Sequence, residues 1–255
     1  MFSEYKDIDQ FKEENGYIIN DVWYPRVTKI VTIKSKPALY RYYGEAKSFK
    51  SAQDATEQSA KEGTMIHEAV EAIILGKTPN IDPLIAPAVK SFIEFFEKND
   101  IHATEELVER RIVNYDHRYA GTIDALALIG GKMGVLDIKT SQSIYRDYSL
   151  QTSAYMDALK NEFPNLQTRW ILRIDQVQKC IHCGAKKRVK GGNEKIITEW
   201  GNPRMRSCDH EWSEPYGEIE LKEFPYWQKD FEAFLGAKKL WEWENEDWLK
   251  KVGYL

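Results

Sequence analysis

Two carboxylates and a lysine stand in two short apolar segments of the sequence. Asp124 ends the segment Gly-Thr-Ile-Asp, and Asp137 and Lys139 belong to Leu-Asp-Ile-Lys-Thr. If both segments are β-strands, Asp137 and Lys139 project to the same face, because strand side chains alternate between the two faces. A carboxylate among apolar neighbours carries a desolvation cost unless a cation compensates it, and either a divalent metal or Lys139 would do so.

This combination suits metal-assisted hydrolysis of a phosphodiester bond. Mg²⁺ and Mn²⁺ prefer oxygen ligands, such as the carboxylates of Asp124 and Asp137. The metal would polarise the scissile phosphate and lower the pKa of a bound water. Lys139 would orient that water or stabilise the charge that builds on the phosphate. The alternative is a buried Asp137–Lys139 ion pair without a catalytic role, the commoner interpretation of an isolated Asp-x-Lys sequence.

Two further polar pairs have the spacing of one helix face. His67 and Glu71 lie in the segment Gly-Thr-Met-Ile-His-Glu-Ala-Val-Glu, and Gln151 and Tyr155 lie in Gln-Thr-Ser-Ala-Tyr. Residues four positions apart in a helix are neighbours on its surface. Taken alone, His67 is more simply a hydrogen-bonded core histidine, and the second pair a polar helix face. Their order along the chain, before and after the acidic strands, makes them candidates for one site.

The four segments in order resemble the motif set of a known enzyme family. The series G-T-x-x-H, G-T-I-D, L-D-I-K-T and Q-x-x-x-Y, within residues 20 to 225, is similar to that of the RecB-like branch of the PD-(D/E)XK nuclease superfamily. That branch includes nuclease domains of bacterial recombination enzymes, CRISPR-associated nucleases and many phage exonucleases. The segment Tyr-Pro-Arg-Val-Thr-Lys-Ile, which starts at Tyr24, also resembles the beginning of phage-type members.

The resemblance implies a role for each motif residue. The ligands of a catalytic Mg²⁺ or Mn²⁺ would be His67, Asp124, Asp137 and the backbone carbonyl of Ile138. Lys139 would be the catalytic lysine, and Gln151 and Tyr155 would position the site or the DNA. Glu68 and Glu71 stay open, because either could bind a second metal through water or simply face solvent.

The three cysteines of the chain lie in one stretch. Cys180-Ile-His-Cys183-Gly has metal-knuckle spacing, and Cys208-Asp-His210 follows about twenty-five residues later. Two such pairs suit tetrahedral Zn²⁺, with His210 as the fourth ligand and His182 as its substitute. The alternative is three reduced structural cysteines in a reducing compartment, since a low, odd count disfavours a disulfide scaffold.

The family resemblance also suggests a second kind of metal centre to compare with zinc at the cysteines. Some CRISPR-associated members hold an iron–sulfur cluster through one early cysteine and a late group. This chain has no cysteine before Cys180, so a structural zinc in a ribbon-like insertion is expected instead.

The same stretch is rich in basic residues, with Trp200 and Trp212 nearby. Such a charge run is either a solvated surface or a set of contacts to DNA phosphates. The candidate DNA contacts are Lys186, Lys187, Arg188 and Lys190.

Periodicity predicts the elements that position these residues. Helices are expected over about 51–75, with Asp54 as N-cap, and over 85–98, 148–161 and 226–248. Strands are expected at 107–113, 120–129, 134–138, 168–177 and 216–224, with a strand or hairpin in 17–33. The order predicts an α/β (α+β) fold with a mixed central sheet flanked by helices, and the resemblance implies a restriction-endonuclease-like core. Residues 1–255 would form one domain, with a zinc-binding insertion at 178–215 inside a β-hairpin.

Charge and hydropathy exclude several classes of protein. A formal net charge of -4 excludes a protein that coats nucleic acid by bulk charge, but not one with a local basic groove. No apolar run approaches the roughly 20 residues of a membrane span, and the acidic, polar first ten residues are unlike a signal peptide. We therefore expect no membrane partner and a cytoplasmic location, in a bacterial cell or a phage-infected host.

The sequence thus predicts a metal-dependent DNA exonuclease that acts on linear single- or double-stranded ends in recombination, repair or phage DNA processing. Recombination or replication proteins are possible partners. Two alternatives are a structure-specific or flap endonuclease on the same core and a non-catalytic DNA-binding module that uses the zinc ribbon.

Overall fold

The computed structural model describes residues 5–34, 36–199 and 202–255 of the chain. The described part begins with helix α1 (Ile8–Asn15), which Asp7 caps by accepting a hydrogen bond from the N–H of Gln10 at 2.8 Å. An antiparallel hairpin of β1 (Gly16–Ile19) and β2 (Val22–Pro25) follows. It confirms the prediction of a strand or hairpin for the first part of 17–33, whereas Val27–Val31 in the second part is helical. The short helices α2 (Val27–Val31) and α3 (Pro37–Glu45) come next.

The longest helix carries the first motif. α4 (Phe49–Ile74) has 26 residues, and α5 (Ala86–Lys98) follows it. The prediction of Asp54 as N-cap is wrong. Ser48 is the N-cap, because its hydroxyl accepts a hydrogen bond from the N–H of Ser51 at 3.1 Å. The Ser51 hydroxyl accepts a hydrogen bond from the N–H of Ser48, so this capping box places the N-cap six residues before Asp54.

A mixed sheet forms the centre of the molecule and confirms the predicted α/β class. After β3 (Ile101–His102) and a single 3₁₀ turn at Glu105–Leu107 come β4 (Val108–Asn114), β5 (Tyr119–Ile129) and β6 (Lys132–Lys139). Adjacent strands in the series β4, β5 and β6 are antiparallel. Helix α6 (Asp147–Leu159) then crosses to β7 (Leu166–Lys179), which is parallel to β6.

The stretch that contains the cysteines leaves the sheet and returns to it. It comprises β8 (Lys186–Lys190), β9 (Asn193–Ile197) and α7 (Pro203–Arg206), and Trp200 lies outside the described residues. β10 (Tyr216–Glu223) then pairs antiparallel with β7, from Tyr216 opposite Val177, which confirms the predicted pairing of the two flanking strands. Val177 also pairs with Arg188, so β8 lies on the other edge of β7, beyond the end of β6.

Two helices close the chain, α8 (Gln228–Glu244) and α9 (Glu246–Lys251), where one was predicted. The break falls at Asn245, whose side-chain amide donates to the carbonyl of Trp241 at 2.8 Å. Two hydrophobic clusters hold the layers together. One joins the sheet to α2, α6 and α8, and the other joins it to α4 and α5. Among the described residues, no helix combines the length and apolarity of a membrane span.

Candidate functional site

Three carboxylates lie side by side across three neighbouring strands. The register of β5 with β6 pairs Ala125 with Leu136, so the next position places Asp124 opposite Asp137. On the other side, the register of β4 with β5 places Glu109 opposite Asp124. Glu109 has a φ of 49°, a backbone conformation that side-chain-bearing residues seldom adopt. Such local strain is common where a side chain is held for function.

Asp137 is completely buried and held by residues of two elements. Its Oδ1 accepts a hydrogen bond from the Gln151 amide at 2.9 Å, and the same nitrogen donates to the Tyr155 hydroxyl at 3.0 Å. The ammonium of Lys139 lies 2.6 Å from Oδ2. Lys139 therefore forms an ion pair with this oxygen and compensates the burial of the carboxylate.

Asp124 connects the strands to helix α4. Its Oδ2 accepts a hydrogen bond from the backbone N–H of Ile138 at 2.6 Å. The Nδ1 atom of His67 lies 3.8 Å from the same oxygen and 3.9 Å from Oε1 of Glu71. The hydrogen bond at Ile138 comes from its N–H, and the use of its carbonyl as a metal ligand stays a prediction.

Burial and the neighbouring charges shift the pKa values of Asp137, Asp124 and Lys139. Desolvation raises the pKa of Asp137 to about 6, although Lys139 opposes the shift. Desolvation likewise raises the pKa of Asp124, against the charge of Lys139 and the N–H of Ile138. For Lys139, burial acts to lower the pKa, but Asp137 and Asp124 outweigh it and raise the pKa above its usual value. The lysine therefore carries a positive charge at neutral pH.

On the helix side of the site, the pKa of the histidine is lowered, whereas the pKa of the glutamate is raised. Burial, followed by the charge of Lys139, lowers the pKa of His67 to about 4. Burial, followed by the nearby Glu109 and Asp124, raises the pKa of Glu71 to about 8. At neutral pH, His67 is thus a neutral imidazole with a lone pair available to a metal, and Glu71 retains a proton in the absence of a cation.

The two motif glycines are needed for close approach. A Cβ at Gly63 on α4 would lie 2.8 Å from the Thr140 hydroxyl oxygen, at the residue that follows Lys139. A Cβ at Gly121 on β5 would lie 2.6 Å from a ring carbon of Tyr155. Contacts this short are excluded sterically, so each glycine lets a helix pack directly against the strand ends that carry the carboxylates.

An open cleft with a volume of about 980 Å³ lies above this group. One wall is α4 and the other is the segment that follows β6. The predicted residues on its surface are His67, Glu68, Glu71, Lys139, Arg188 and Lys190. Two tyrosines of the second wall, Tyr145 and Tyr148, also line it, and the Lys139 ammonium lies 5.2 Å from the Tyr148 ring centroid. The surface of the cleft thus combines cations and aromatic rings with the carboxylates of Glu68, Glu71 and Glu109.

We call His67, Glu71, Glu109, Asp124 and Asp137 the acidic group, and it contains ligand types that Mg²⁺ and Mn²⁺ use. It offers the carboxylates of Asp124 and Asp137 and the neutral imidazole of His67, and hard divalent cations prefer oxygen ligands. Among the described residues, the ligand atoms of the cysteine group described below are close enough to hold a metal, whereas those of the acidic group are not, and Lys139 already neutralises Asp137, so a catalytic Mg²⁺ or Mn²⁺ stays a prediction. His67, Asp124 and Asp137 are the side chains that would hold the ion.

A second, tighter group lies in the cysteine stretch. The ligand atoms of Cys180, Cys183, Cys208 and His210 all lie within 4.8 Å of one another and could hold a metal such as zinc. Cys180 and Cys208 are 3.8 Å apart at sulfur, and the Cys183 sulfur is 3.4 Å from Nδ1 of His210. The set of three thiols and one imidazole is typical of structural zinc.

The remaining histidine of the stretch is turned elsewhere. Nε2 of His182 contacts a carboxylate oxygen of Glu211 at 3.1 Å and is not part of the group. Burial would raise the pKa of Cys180, but hydrogen bonds from the Cys183 backbone and from His210 lower it to about 5. A thiol that ionises this readily is prepared for metal binding. The structure thus selects His210 over His182.

The four candidate DNA contacts fall into two pairs. Arg188 donates two hydrogen bonds to the Asp175 carboxylate, at 2.8 and 2.7 Å, and Lys190 donates to the backbone carbonyl of Thr140. Both of these basic residues line the cleft. The other two are engaged away from it, Lys186 with Glu218 and Lys187 over the Trp212 ring at 5.2 Å.

Sequence patterns missed two acidic residues of this region. Glu109 belongs to a predicted strand, but its place beside Asp124 depends on the register between strands, which no motif marks. Glu62 is buried on α4 and accepts hydrogen bonds from the Gly191 N–H at 3.1 and 3.2 Å, so it fixes the tip of the β8–β9 hairpin to the cleft wall. In the sequence, Glu62 directly precedes the G-T-x-x-H motif, and this position was the available signal.

Comparisons with known proteins give no family for this chain. A scan against protein-family models found no match, and a search of curated proteins found none either. Its activity must therefore be argued from the geometry of the two candidate metal sites.

Proposed function

We propose that this chain is a metal-dependent deoxyribonuclease with a restriction-endonuclease-like core of the RecB type. One observation carries the proposal. Asp137 is buried next to Asp124, and Gln151 holds its Oδ1 while the Lys139 ammonium lies 2.6 Å from its Oδ2. His67 lies 3.8 Å from the Asp124 carboxylate, so two carboxylates and an imidazole meet at one point. A purely structural Asp–Lys pair would not need a second buried carboxylate and a neutral histidine beside it, so the grouping of Asp124 and His67 next to Asp137 favours a cation-binding site.

Each residue then has a defined task in phosphodiester hydrolysis. His67, Asp124 and Asp137 would hold Mg²⁺ or Mn²⁺, which supplies Lewis-acid stabilisation of the phosphate and lowers the pKa of water. Lys139, charged at neutral pH, stabilises negative charge that develops on the phosphate oxygens. Gln151 and Tyr155 act as positioning residues for Asp137. Water forms the new bond to phosphorus as one phosphorus–oxygen ester bond breaks, and the leaving oxygen takes up a proton.

The cysteine stretch would be a zinc-ribbon insertion. Zn²⁺ held by Cys180, Cys183, Cys208 and His210 would fix the turn between β7 and β8. Arg188 and Lys190 on β8 border the cleft, so the insertion would present cations to DNA phosphates next to the acidic group. DNA is therefore the proposed partner.

A cleavage assay on end-labelled linear DNA, single- and double-stranded, with Mg²⁺ or Mn²⁺ tests the proposal. We expect Asp124→Ala, Asp137→Ala and Lys139→Ala to abolish cleavage without unfolding the chain. Asp116→Ala is the matched control, because Asp116 is exposed in the turn between β4 and β5. Metal-dependent cleavage that survives in Asp137→Ala would disprove the assignment.

The same assay separates the alternatives. Release of terminal nucleotides from linear DNA, with closed circular DNA left intact, is the result expected of an exonuclease. Cutting of closed circles or of flaps instead identifies an endonuclease on the same core. Binding of DNA without metal-dependent cleavage in the wild-type protein identifies a non-catalytic module. In that case the basic, cysteine-containing hairpin would be the element that binds DNA.

A further inference from the structure

Four aromatic rings are grouped on α3 and at the start of α4, and we call them the α3 patch: Tyr40, Tyr42, Tyr43 and Phe49. Tyr40 is 64% exposed and Phe49 is 68% exposed. Three of the rings contact one another, with centroids 5.7 Å apart for Tyr42 and Tyr43 and 5.3 Å apart for the stacked Tyr43 and Phe49. Large exposed aromatic groups of this kind mark binding surfaces.

The surface around the α3 patch is basic in an acidic protein. Residues 36–50 contain the cations Lys36, Arg41, Lys47 and Lys50, all exposed, and a single carboxylate, Glu45. The whole chain, in contrast, has a formal net charge of -4. Exposed rings interspersed with cations form the combination that binds single-stranded nucleic acid, because bases stack on the rings while cations contact the phosphates.

The α3 patch is continuous with the cleft. Phe49 is the first residue of α4, and the same helix carries Thr56 and His67 on the cleft wall. At 1.5 Å per residue, about 27 Å of helix separates Phe49 from His67. From the other side, the Asn193 side chain at the tip of the β8–β9 hairpin donates to the Tyr42 hydroxyl at 3.1 Å. Lys190 of that hairpin lines the cleft.

We propose that the α3 patch is a stacking platform for single-stranded DNA, which continues from it along α4 into the cleft. This inference rests on the proposed function in its choice of DNA as the partner. A duplex keeps its bases stacked inside the helix and cannot offer them to the rings. The net positive charge of the segment favours a polyanion over a second copy of this acidic chain.

The length of the path from the cleft to the α3 patch predicts how the affinity depends on the length of the strand. An oligonucleotide of about 4 nucleotides occupies the cleft alone, whereas one of about 16 nucleotides reaches the α3 patch as well, within the range of known single-strand sites. Loss of the rings therefore weakens binding of the longer strand only.

Fluorescence anisotropy with labelled oligothymidylates of these two lengths tests this. The measurements use the full chain in two inactive backgrounds, Asp137→Ala and Lys139→Ala, so that neither cleavage nor the folding of one variant limits the result. We expect the double variant Tyr40→Ala/Phe49→Ala to bind the longer strand about fivefold or more weakly and the shorter one unchanged. Tyr40→Trp, which keeps an aromatic ring at this position, retains binding of the longer strand. Trp243→Ala, an equally exposed aromatic on α8, is the matched control without effect.

Three results would overturn the inference. The first is unchanged affinity of the double variant for the longer strand, and the second is an equal loss of affinity for duplex DNA of the same length. The third is a change of oligomeric state in light scattering with DNA affinity unaltered, which would identify the patch as a contact between copies of the chain. Failure of the proposed function looks different. In that case the wild-type protein does not cleave DNA, although ring-dependent binding of the longer strand persists.

Discussion

Gln151 on α6 donates a hydrogen bond to Oδ1 of Asp137 on β6 over 2.9 Å. Asp137 lies on the strand that enters the crossover to β7, and Gln151 lies on the crossover helix α6. One carboxylate oxygen is fixed from the helix side, and the other lies 2.6 Å from the ammonium of Lys139. The glutamine therefore determines which way the carboxylate of Asp137 points.

Removal of this hydrogen bond should impair the site without destroying it. We expect Gln151→Ala to lower the cleavage rate about 10- to 100-fold, the range typical of residues that orient metal ligands. The buried Oδ1 left without a donor should lower the free energy of unfolding by about 1–3 kcal/mol. Single-turnover kinetics and urea unfolding measure the two effects. Gln142→Ala, which removes another glutamine of the cleft, should change neither, and equal losses in both variants would contradict this role.

The acidic group should make stability depend on both pH and metal. Burial raises the pKa of Asp137 to about 6 and that of Glu71 to about 8. Groups whose pKa is raised on folding stabilise the protein below their unfolded pKa, and this contribution is lost as pH rises through the folded pKa. The free energy of unfolding of the metal-free protein should thus fall between about pH 4 and 8, less steeply in Glu71→Gln.

Divalent metal should reverse that fall, because it binds the deprotonated carboxylates. Mg²⁺ or Mn²⁺ is expected to raise the melting temperature more at about pH 8 than at about pH 5, as differential scanning fluorimetry would measure. The shift should disappear in Asp137→Ala. A metal-induced shift of the same size at both pH values would argue against binding at this group.

The cysteine group should contain one metal per chain that stabilises the insertion. We expect elemental analysis to find zinc in the wild-type protein and in His182→Ala, because His182 pairs with Glu211 outside the group. Cys208→Ser and His210→Ala should lose the metal and melt at lower temperature. Loss of zinc in His182→Ala with retention in His210→Ala would reverse the ligand assignment.

Close packing at Gly121 should be intolerant of a methyl group. The Cβ of Gly121→Ala would lie 2.6 Å from the Tyr155 ring, so we expect a loss of about 1–3 kcal/mol in the free energy of unfolding. Gly236→Ala is the control, since a Cβ there meets no atom within 4 Å inside helix α8 and should stabilise by about 1 kcal/mol. Thermal unfolding of both variants measures the difference, and a neutral Gly121→Ala would refute the packing argument.

The two pairs of basic residues on β8 should differ in their effect on DNA. Lys190 lines the cleft, whereas Lys187 packs over Trp212. Lys190→Ala should therefore weaken binding and reduce the salt dependence of the affinity by about one ion, and Lys187→Ala should have the smaller effect. Titrations of a labelled strand at several salt concentrations check this, and the opposite ranking would exclude β8 as a cleft wall for DNA.

Local patterns predicted the elements that carry the site, for a physical reason. Apolar runs of strand length with glycines between them identify β5 and β6, and helical spacing identifies α4 and α6. The start of α4 was misjudged because Asp54 and Ser48 are both acceptable caps. Only the hydrogen bond that Ser48 makes with Ser51 distinguishes them.

The sequence by itself determined the chemical identity of the site: two carboxylates and a lysine in apolar strands, and three cysteines in one stretch. The tertiary structure decided which residues join them. Glu109 stands beside Asp124 because of strand register, and His210 rather than His182 faces the thiols because of the path of the chain after α7. Motifs record residue types at short separations, whereas contacts between distant segments depend on packing of the whole sheet and its helices.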